Sequence, residues 1–378
     1  MPDWCLPFGT VQSADVSDLQ RYTDSITRLG LEAGAAFVSV APADVMHRAR
    51  EVLVARKSAG LNDTMEFTYR NPERSTDPKR ALGEAKAVIV AALPYGSDTP
   101  ASPSGPHGSI AQYAREDYYE KLSSALRVMR DKLRKDGFRA LDFVDDNSMV
   151  DRESAWLGGL GWFGKNANLL IRGAGSMVVL GSVVTTAPLK VQRDVEPDGC
   201  GSCRVCIDAC PTAAIVDDGV IDARRCLSWL LQKPGVFPVE FRSALGDRLY
   251  GCDDCQETCP ENVRLLPTRR MAAQSDSWVP ILDVLDEDDE SLGRRVQRWY
   301  VPGRDVKVVR RNALVVLGNV GDSANVSVRR TVERYLRHDD EILRAHAVWA
   351  ARRLGLDDLL VVDDQSDLVM SELRRDHL

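Results

Sequence analysis

No apolar run in this 378-residue chain reaches the roughly 20 residues that a membrane-crossing helix needs. The N-terminus lacks the basic-then-apolar pattern of a secretory signal. Neither a membrane anchor nor an oxidising destination is expected. The chain also lacks a global positive field. Its formal net charge is −7, so a nucleic-acid partner would have to meet a local basic patch. Cysteine is nearly absent outside one segment: of nine, only Cys5 lies beyond the stretch from Cys200 to Cys259, and it reads as a buried or idle thiol. A reducing cytoplasm is the compartment these absences predict.

What the sequence does have is a dense cysteine block. The first run reads Cys200-x2-Cys203-x2-Cys206-x3-Cys210-Pro211, and the second reads Cys252-x2-Cys255-x3-Cys259-Pro260, with Cys226 alone between them. A cubane needs four converging thiolates. Two intervening residues let a tight turn set successive sulfurs on adjacent irons. In two-cluster ferredoxins the cysteine after the longer gap ligates the other cluster. The second run lacks its first cysteine, because Leu249 stands there, and Cys226 is the spare thiol that takes the place. The expected sets are Cys200, Cys203, Cys206 and Cys259 for one [4Fe-4S] cluster, and Cys210, Cys226, Cys252 and Cys255 for the other. Zinc ribbons use two CxxC pairs instead, and disulfides need an oxidising compartment. The spacing therefore predicts a carrier of low-potential electrons.

The length allows two or three domains at about 100–200 residues each. The expected division is 1–190, an α/β domain; 191–270, the cysteine domain; and 271–378, an all-helical tail, giving an α+β protein overall. Helical periodicity marks Asp15–Gly34, Asp44–Ala59 and Tyr118–Lys135, the last stopped by Gly137. Ala36–Val40, Leu141–Val144 and Met177–Thr186 read as strands, and the continuous apolar run Ala87–Leu93 reads as a buried one. Ser97–Ser109, rich in Pro, Gly and Ser, reads as a loop. The acidic stretch Asp286–Glu290 reads as a solvated linker or a helix start. Beyond Arg304 there is an echo: Arg310–Leu317 recurs as Arg344–Ala351, each copy followed by a glycine, Gly321 or Gly355. It predicts paired helices stacked as HEAT-like repeats, the alternative being two unrelated amphipathic helices.

Gly159-Leu160-Gly161-Trp162-Phe163-Gly164 satisfies GxGxxG, and with Lys165 and Asn166 nearly satisfies the phosphate loop. Nucleotide loops need a strand before and a helix after. Here Asp151–Leu157 looks helical, and Asn166 lacks the hydroxyl that holds magnesium. The glycines are expected to let the backbone pass close to a large flat ligand.

Three strings resemble the epoxyqueuosine reductase family. The first runs from Val144-Asp145 through Val150-Asp151-Arg152 and the glycine stretch to Gly175-Ser176 and Leu180-Gly181. The second is Cys200-Gly201-Ser202-Cys203 with Cys210-Pro211-Thr212. The third runs from Arg225-Cys226-Leu227-Ser228 through Phe241-Arg242 to Asp247-Arg248-Leu249-Tyr250-Gly251-Cys252-Asp253. The resemblance spans residues 60–355. It implies reduction of an epoxide on a modified tRNA base, giving queuosine at the wobble position. It also implies a cobalamin in a nitroreductase-like N-terminal domain and two [4Fe-4S] clusters in a ferredoxin-like domain. The family binds cobalamin without a histidine on cobalt, and this chain has no Asp-x-His-x-x-Gly.

Carried over by position, Asp145 matches the family's proton donor. Opening an epoxide leaves an alkoxide-like oxygen for a positioned acid to protonate, and burial would raise that acid's pKa. On residue chemistry alone Asp142, Asp146 and Asp151 are equal candidates. Arg70, Leu169, Leu180, Ser228 and Asp253, with Asp145 itself, fall where family members touch cobalamin. One departure lies in Tyr113-Ala114-Arg115-Glu116-Asp117-Tyr118-Tyr119, a residue shorter than the family's version, with tyrosine where the family has histidine. The resemblance further implies a cytoplasmic monomer fed by a ferredoxin- or flavodoxin-like electron donor. The tRNA is expected on Arg294, Arg295, Arg298, Lys307, Arg310, Arg311, Arg329 and Arg330. The rival expectations are a cobalamin and iron–sulfur reductase of a small, possibly halogenated molecule, a non-catalytic two-cluster electron carrier, and a repeat scaffold with structural clusters.

Overall fold

The computed structural model describes residues 16–375 apart from 68, 97–98, 193, 266, 268–276 and 361–362, so Cys5 lies outside the described residues. The N-terminal lobe runs α1 (Val16–Glu32), β1 (Phe37–Pro42), α2 (His47–Ser58), β2 (Ala87–Pro94), β3 (His107–Ile110), α3 (Tyr118–Lys135), β4 (Ala140–Val144), α4 (Asp151–Leu157) and β5 (Val178–Thr185). Four of its strands form one antiparallel sheet in the order β1-β2-β5-β4.

The apolar run of β2 is explained by its place in the middle of that sheet. Its side chains alternate between two cores. Ala87, Ile89 and Ala91 meet Ile26 of α1 and Leu126 and Met129 of α3 on one face. Val88, Val90 and Ala92 meet Met46, Ala49 and Ala155 on the other. A strand covered on both sides shows no polar alternation, which is why the sequence reads as unbroken hydrophobicity. The α3 helix begins where the Asp117 carboxylate accepts the Glu120 amide at 2.9 Å and ends in Lys132, Arg134 and Lys135, favourable charges at each end of the helix dipole.

The element limits agree with the sequence reading to within three residues except in one place. The loop expected over Ser97–Ser109 contains the start of β3. Two further strands, β6 (Arg248–Tyr250) and β7 (Trp278–Pro280), flank it, parallel on one side and antiparallel on the other. Its hydrogen-bond partners lie far along the chain, so local composition gives no sign of the strand.

That small mixed sheet joins all three expected segments. Ile110, Leu227, Leu230, Leu249 and Val279 belong to one core with the C-terminal helices. The acidic stretch is a helix start: Asp288 caps the helix Asp289–Arg295 and accepts the Ser291 amide at 2.9 Å. The sequence echo falls on α5 (Lys307–Val320) and α7 (Glu341–Arg353), which pack against each other, with α6 (Val326–Tyr335) and α8 (Asp367–Arg374) also packed on α7. No described helix is long and apolar enough to cross a membrane.

Candidate active site and cluster segment

The cysteine block is made of turns closed by one-turn helices. The Asp198 carboxylate accepts the amides of Cys200 (3.0 Å) and Gly201 (3.2 Å), and the Cys203 amide reaches the Cys200 carbonyl at 2.9 Å. Cys226 and Cys259 each precede a short helix, Leu227–Leu230 and Pro260–Val263. Two groups of thiols result. Cys206 lies within electrostatic reach of Cys259, Cys200 and Cys203, while Cys255 lies within reach of Cys226 and Cys210, and Cys252 of Cys226. Cys255 also senses Cys206, so the two groups adjoin.

None of the eight is in a disulfide. Burial, then the neighbouring Cys259, pushes the Cys206 thiol up to about 11. Burial raises Cys226, Cys252 and Cys255 too. Thiolates so disfavoured need a cationic partner. All eight keep some exposure, but protein surrounds Cys226, Cys252 and Cys255 more completely than Cys206 and Cys259. The first group therefore faces outward and the second inward. Among the described residues, no three His, Cys, Asp or Glu side chains converge as a single metal ion would require.

A buried amide network locks this block to the N-terminal lobe. Asn262 accepts the Ser176 amide at 2.9 Å and donates to the Ser176 hydroxyl (2.9 Å) and the Gln256 carbonyl (2.8 Å). A Cβ at Gly175 would stand 1.9 Å from the Asn262 carbonyl oxygen, so only glycine fits. Asn166 donates to the Cys255 carbonyl at 3.2 Å. The glycine stretch before it serves the same close packing. At Gly161 a Cβ would stand 1.9 Å from the Leu170 carbonyl oxygen, across the hairpin of Trp162–Phe163 and Leu169–Leu170. This corrects the expectation that these glycines make room for a flat ligand: what approaches Gly161 is the protein's own backbone.

Beside the inner thiols lies a cluster of acids and tyrosines within electrostatic reach of one another. Asp145 follows the last residue of β4 in the left-handed region, φ 50°, which turns its carboxyl out of the sheet. The side chain is open to solvent, yet nearby protein desolvates the carboxyl enough, with help from Asp146, to hold it above the usual range. Asp151, at the first turn of α4, accepts the Ser182 hydroxyl at 3.3 Å, and burial pushes it up to about 8, with Asp145 and Asp146 adding repulsion. Asp253 is 6% exposed, sits between Cys252 and Cys255, and accepts the Gln112 amide at 2.5 Å; burial pushes it up to about 6. Tyr119 lies within reach of Asp145 and Asp151, Tyr250 of Asp145, and Tyr95 of Asp253.

The structure therefore brings Asp145 and Asp253 into one neighbourhood through these tyrosines. Leu169 is 2% exposed, inside the second core, with Leu180 packed at its edge. Ser228 is half-buried on the helix that follows Cys226, and Arg70 is exposed. Among the four carboxylates that residue chemistry left equal, Asp142 pairs with Arg130 at 2.8 Å. Asp146 accepts the Ser148 amide at 2.7 Å. Burial raises the pKa values of Asp145 and Asp151. Sequence reasoning missed Tyr95 and Tyr250 as site residues. The tyrosine-rich segment 113–119 was the available signal, and Tyr250 directly precedes the Gly251-Cys252 of the third string.

The expected RNA face needs correction. Arg311 is 1% exposed and donates to the carbonyls of Leu230 (2.9 Å), Lys233 (2.6 Å) and Gly235 (2.8 Å). Arg310 is 7% exposed, held by the Asp289 carboxylate and the Glu287 carbonyl. Both serve the interior. Arg294, Arg295, Lys307 and Arg329 are paired with Glu290, Glu287, Asp340 and Asp358.

Residues 75–151 match the family described as epoxyqueuosine reductase QueG, DUF1730, and residues 199–262 match the 4Fe-4S double cluster binding domain. Residues 199–262 are thus an iron–sulfur segment. The chain is 31% identical over 347 residues to an epoxyqueuosine reductase of Vibrio cholerae, covering 88% of this chain and 92% of that protein. It is 32% identical over 329 residues to the one of Bacillus subtilis, covering 83% and 82%. A crystal structure of an epoxyqueuosine reductase with an epoxyqueuosine-modified tRNA-Tyr stem loop superposes with a TM-score of 0.84 at 26% identity, covering 93% of this chain and 97% of that one. The enzyme of Streptococcus thermophilus gives 0.83 at 26%, covering 92% and 96%. A Bacillus subtilis structure with its catalytic aspartate loop swung out of the active site gives 0.82 at 26%, covering 93% and 97%.

Proposed function

Because this chain belongs to the epoxyqueuosine reductase family, we propose that it reduces epoxyqueuosine to queuosine at the wobble position of tRNA, with Asp145 as the proton donor. The observation that carries this reading is the desolvated Asp145 carboxyl within reach of Tyr119 and Tyr250, the latter two residues before Cys252 of the inner thiol group. Removing an epoxide oxygen consumes two electrons and two protons and releases water. An acid with a raised pKa remains protonated at higher pH and can give its proton to the oxygen as the ring opens. Asp151, uncharged below about 8, lets Asp145 sit nearby without a second full negative charge.

We assign Cys200, Cys203, Cys206 and Cys259 to the outward [4Fe-4S] cluster and Cys210, Cys226, Cys252 and Cys255 to the inward one. The thiol grouping and the spacing support this division. The residues that the family resemblance carries over would hold a cobalamin in this way: Asp253, with a pKa of about 6, offers an acceptor or a donor to an amide edge, Arg70 and Ser228 offer polar side chains, Leu180 offers partly open apolar surface, and the buried Leu169 would act as backing beneath it. Cobalamin, when bound, supplies a strongly reducing cobalt. The reading places a monomer in the cytoplasm, drawing electrons from a ferredoxin- or flavodoxin-like donor. It takes the N-terminal lobe as nitroreductase-like, the cysteine segment as ferredoxin-like and the tail as HEAT-like, with packing of α5 on α7 in support.

The test is turnover. Anaerobic protein supplied with cobalamin, a low-potential reductant and an epoxyqueuosine-bearing stem loop should yield RNA lighter by one oxygen. RNA left unchanged by protein loaded with both cofactors would overturn the assignment. Tyr119, within reach of Asp145 in the segment that departs from the family, favours a second reading: the same machinery acting on a small, possibly halogenated molecule. The same assay separates the two.

A further inference from the structure

Among the described residues Tyr300 is the aromatic side chain most open to solvent, at 57%. Its backbone is nevertheless fixed. The Tyr300 amide donates to the Tyr250 hydroxyl at 2.7 Å, and its neighbour Trp299 stacks on the Tyr250 ring with centroids 4.5 Å apart and planes 12° from parallel. Tyr250 in turn lies within electrostatic reach of both Asp145 and Tyr300. An exposed ring is thus carried on a backbone bonded to Tyr250, which itself lies within reach of Asp145.

Basic residues gather beside this ring, with Asp305 the next acid along the chain. From Leu292 to Arg304 there are four arginines and no acid. Arg294 and Arg295 are balanced by Glu290 and Glu287. Arg304, presented on a turn with Gly303 (φ 63°), donates to the Gln297 main-chain carbonyl at 2.8 Å and so keeps its charge for another partner.

We propose that Tyr300 is a stacking platform for an unpaired base of the anticodon loop next to the reacting nucleotide, with Arg304 meeting the adjoining phosphate. This rests on the reading that the substrate is a tRNA. An active site that takes in a modified base draws it out of its stack and leaves its neighbour with a bare face. Single-stranded loops are recognised through such faces, on aromatic side chains beside cations. A ring whose backbone is already fixed supplies the lost stacking partner with little added ordering of the chain.

The test compares Tyr300→Ala, Tyr300→Phe and Arg304→Ala with the cofactor-loaded wild type, using an epoxyqueuosine-bearing stem loop. Stacking on one base is lost for about 1–3 kcal/mol, so Tyr300→Ala should weaken stem-loop binding about 5- to 150-fold, with the loss in KM rather than kcat. Tyr300→Phe should bind like wild type. Arg304→Ala should reduce the salt slope of binding by about one, and Tyr300→Ala should leave it unaltered. The alanine retains the main-chain bonds to Tyr250, so its melting temperature and cluster absorbance should match wild type. If wild type converts the RNA and Tyr300→Ala binds it equally well, the stacking role is wrong while the tRNA reading stands. If wild type neither binds nor converts the stem loop, both fall together.

Discussion

The acid cluster around Asp145 and the core built on the C-terminal helices both hold ionisable groups wholly or partly out of water, and they treat them in different ways. In that core every such group meets a partner. Arg242 pairs with Glu372 at 2.7 Å with both side chains buried, Arg311 is ringed by carbonyls, and His346 accepts the Phe237 amide at 3.1 Å and is kept neutral by burial. Around β4 and the inner thiols, Asp145, Asp151 and Asp253 have no salt-bridge partner among the described residues, and desolvation by nearby protein raises all three although the Asp145 side chain remains open to solvent. Satisfied charges fix an architecture. Acids without a counter-charge hold protons that can be moved.

The contrast can be broken most severely at the metal end. Cys226→Ser should abolish reduction and lower iron from about eight to about four atoms per chain, measured by metal analysis of anaerobic protein. Retention of both clusters would disprove the ligand sets. Next comes the donor. Asp145→Asn should slow turnover by about 10²–10⁴-fold with cluster absorbance intact. In the wild type the donor is active when protonated, so turnover should decline as pH rises through its raised pKa. The asparagine variant's residual rate should lack that decline.

In the tail the effect should be on folding. Glu372→Gln leaves Arg242 buried without its counter-charge and should cost about 3–5 kcal/mol in chemical denaturation, whereas replacing both partners by apolar residues should be close to neutral. Asp151 predicts the reverse sign. Its folded pKa of about 8 exceeds the ordinary 3.8, so its contribution to stability falls as pH rises from 3.8 toward 8. Asp151→Asn should therefore stabilise the protein at pH 7, by on the order of 3 kcal/mol, and have little effect below pH 4. The smallest change is on the surface: Asp358→Ala, which removes the exposed partner of Arg329, should cost less than about 1 kcal/mol.

Much of this was legible in the residues, for identifiable reasons. The cysteine runs encode their grouping because turn geometry links spacing to which irons are reached. The β2 and α3 patterns are local and periodic, so their elements could be read off. The β3 strand could not be read, because its pairing with Arg248–Tyr250 and Trp278–Pro280 is set by distant sequence. Arg310 and Arg311 misled for a related reason: a run of arginines looks like a solvated face, and only tertiary packing shows the carbonyls that surround Arg311. The choice of Asp145 and Asp151 over Asp142 required knowing that Arg130 reaches the latter.

The little sheet built from His107–Ile110, Arg248–Tyr250 and Trp278–Pro280 sets an order of events during synthesis. Two of its strands meet across more than a hundred intervening residues, and one edge of His107–Ile110 waits for residue 250 while the other waits for residue 280. Nascent chains still on the ribosome will expose an edge of His107–Ile110 until residue 280 has left the exit tunnel, so the N-terminal lobe cannot mature ahead of the cysteine segment. Truncated or split versions of the enzyme should need chaperones, or fail to fold, for the same reason.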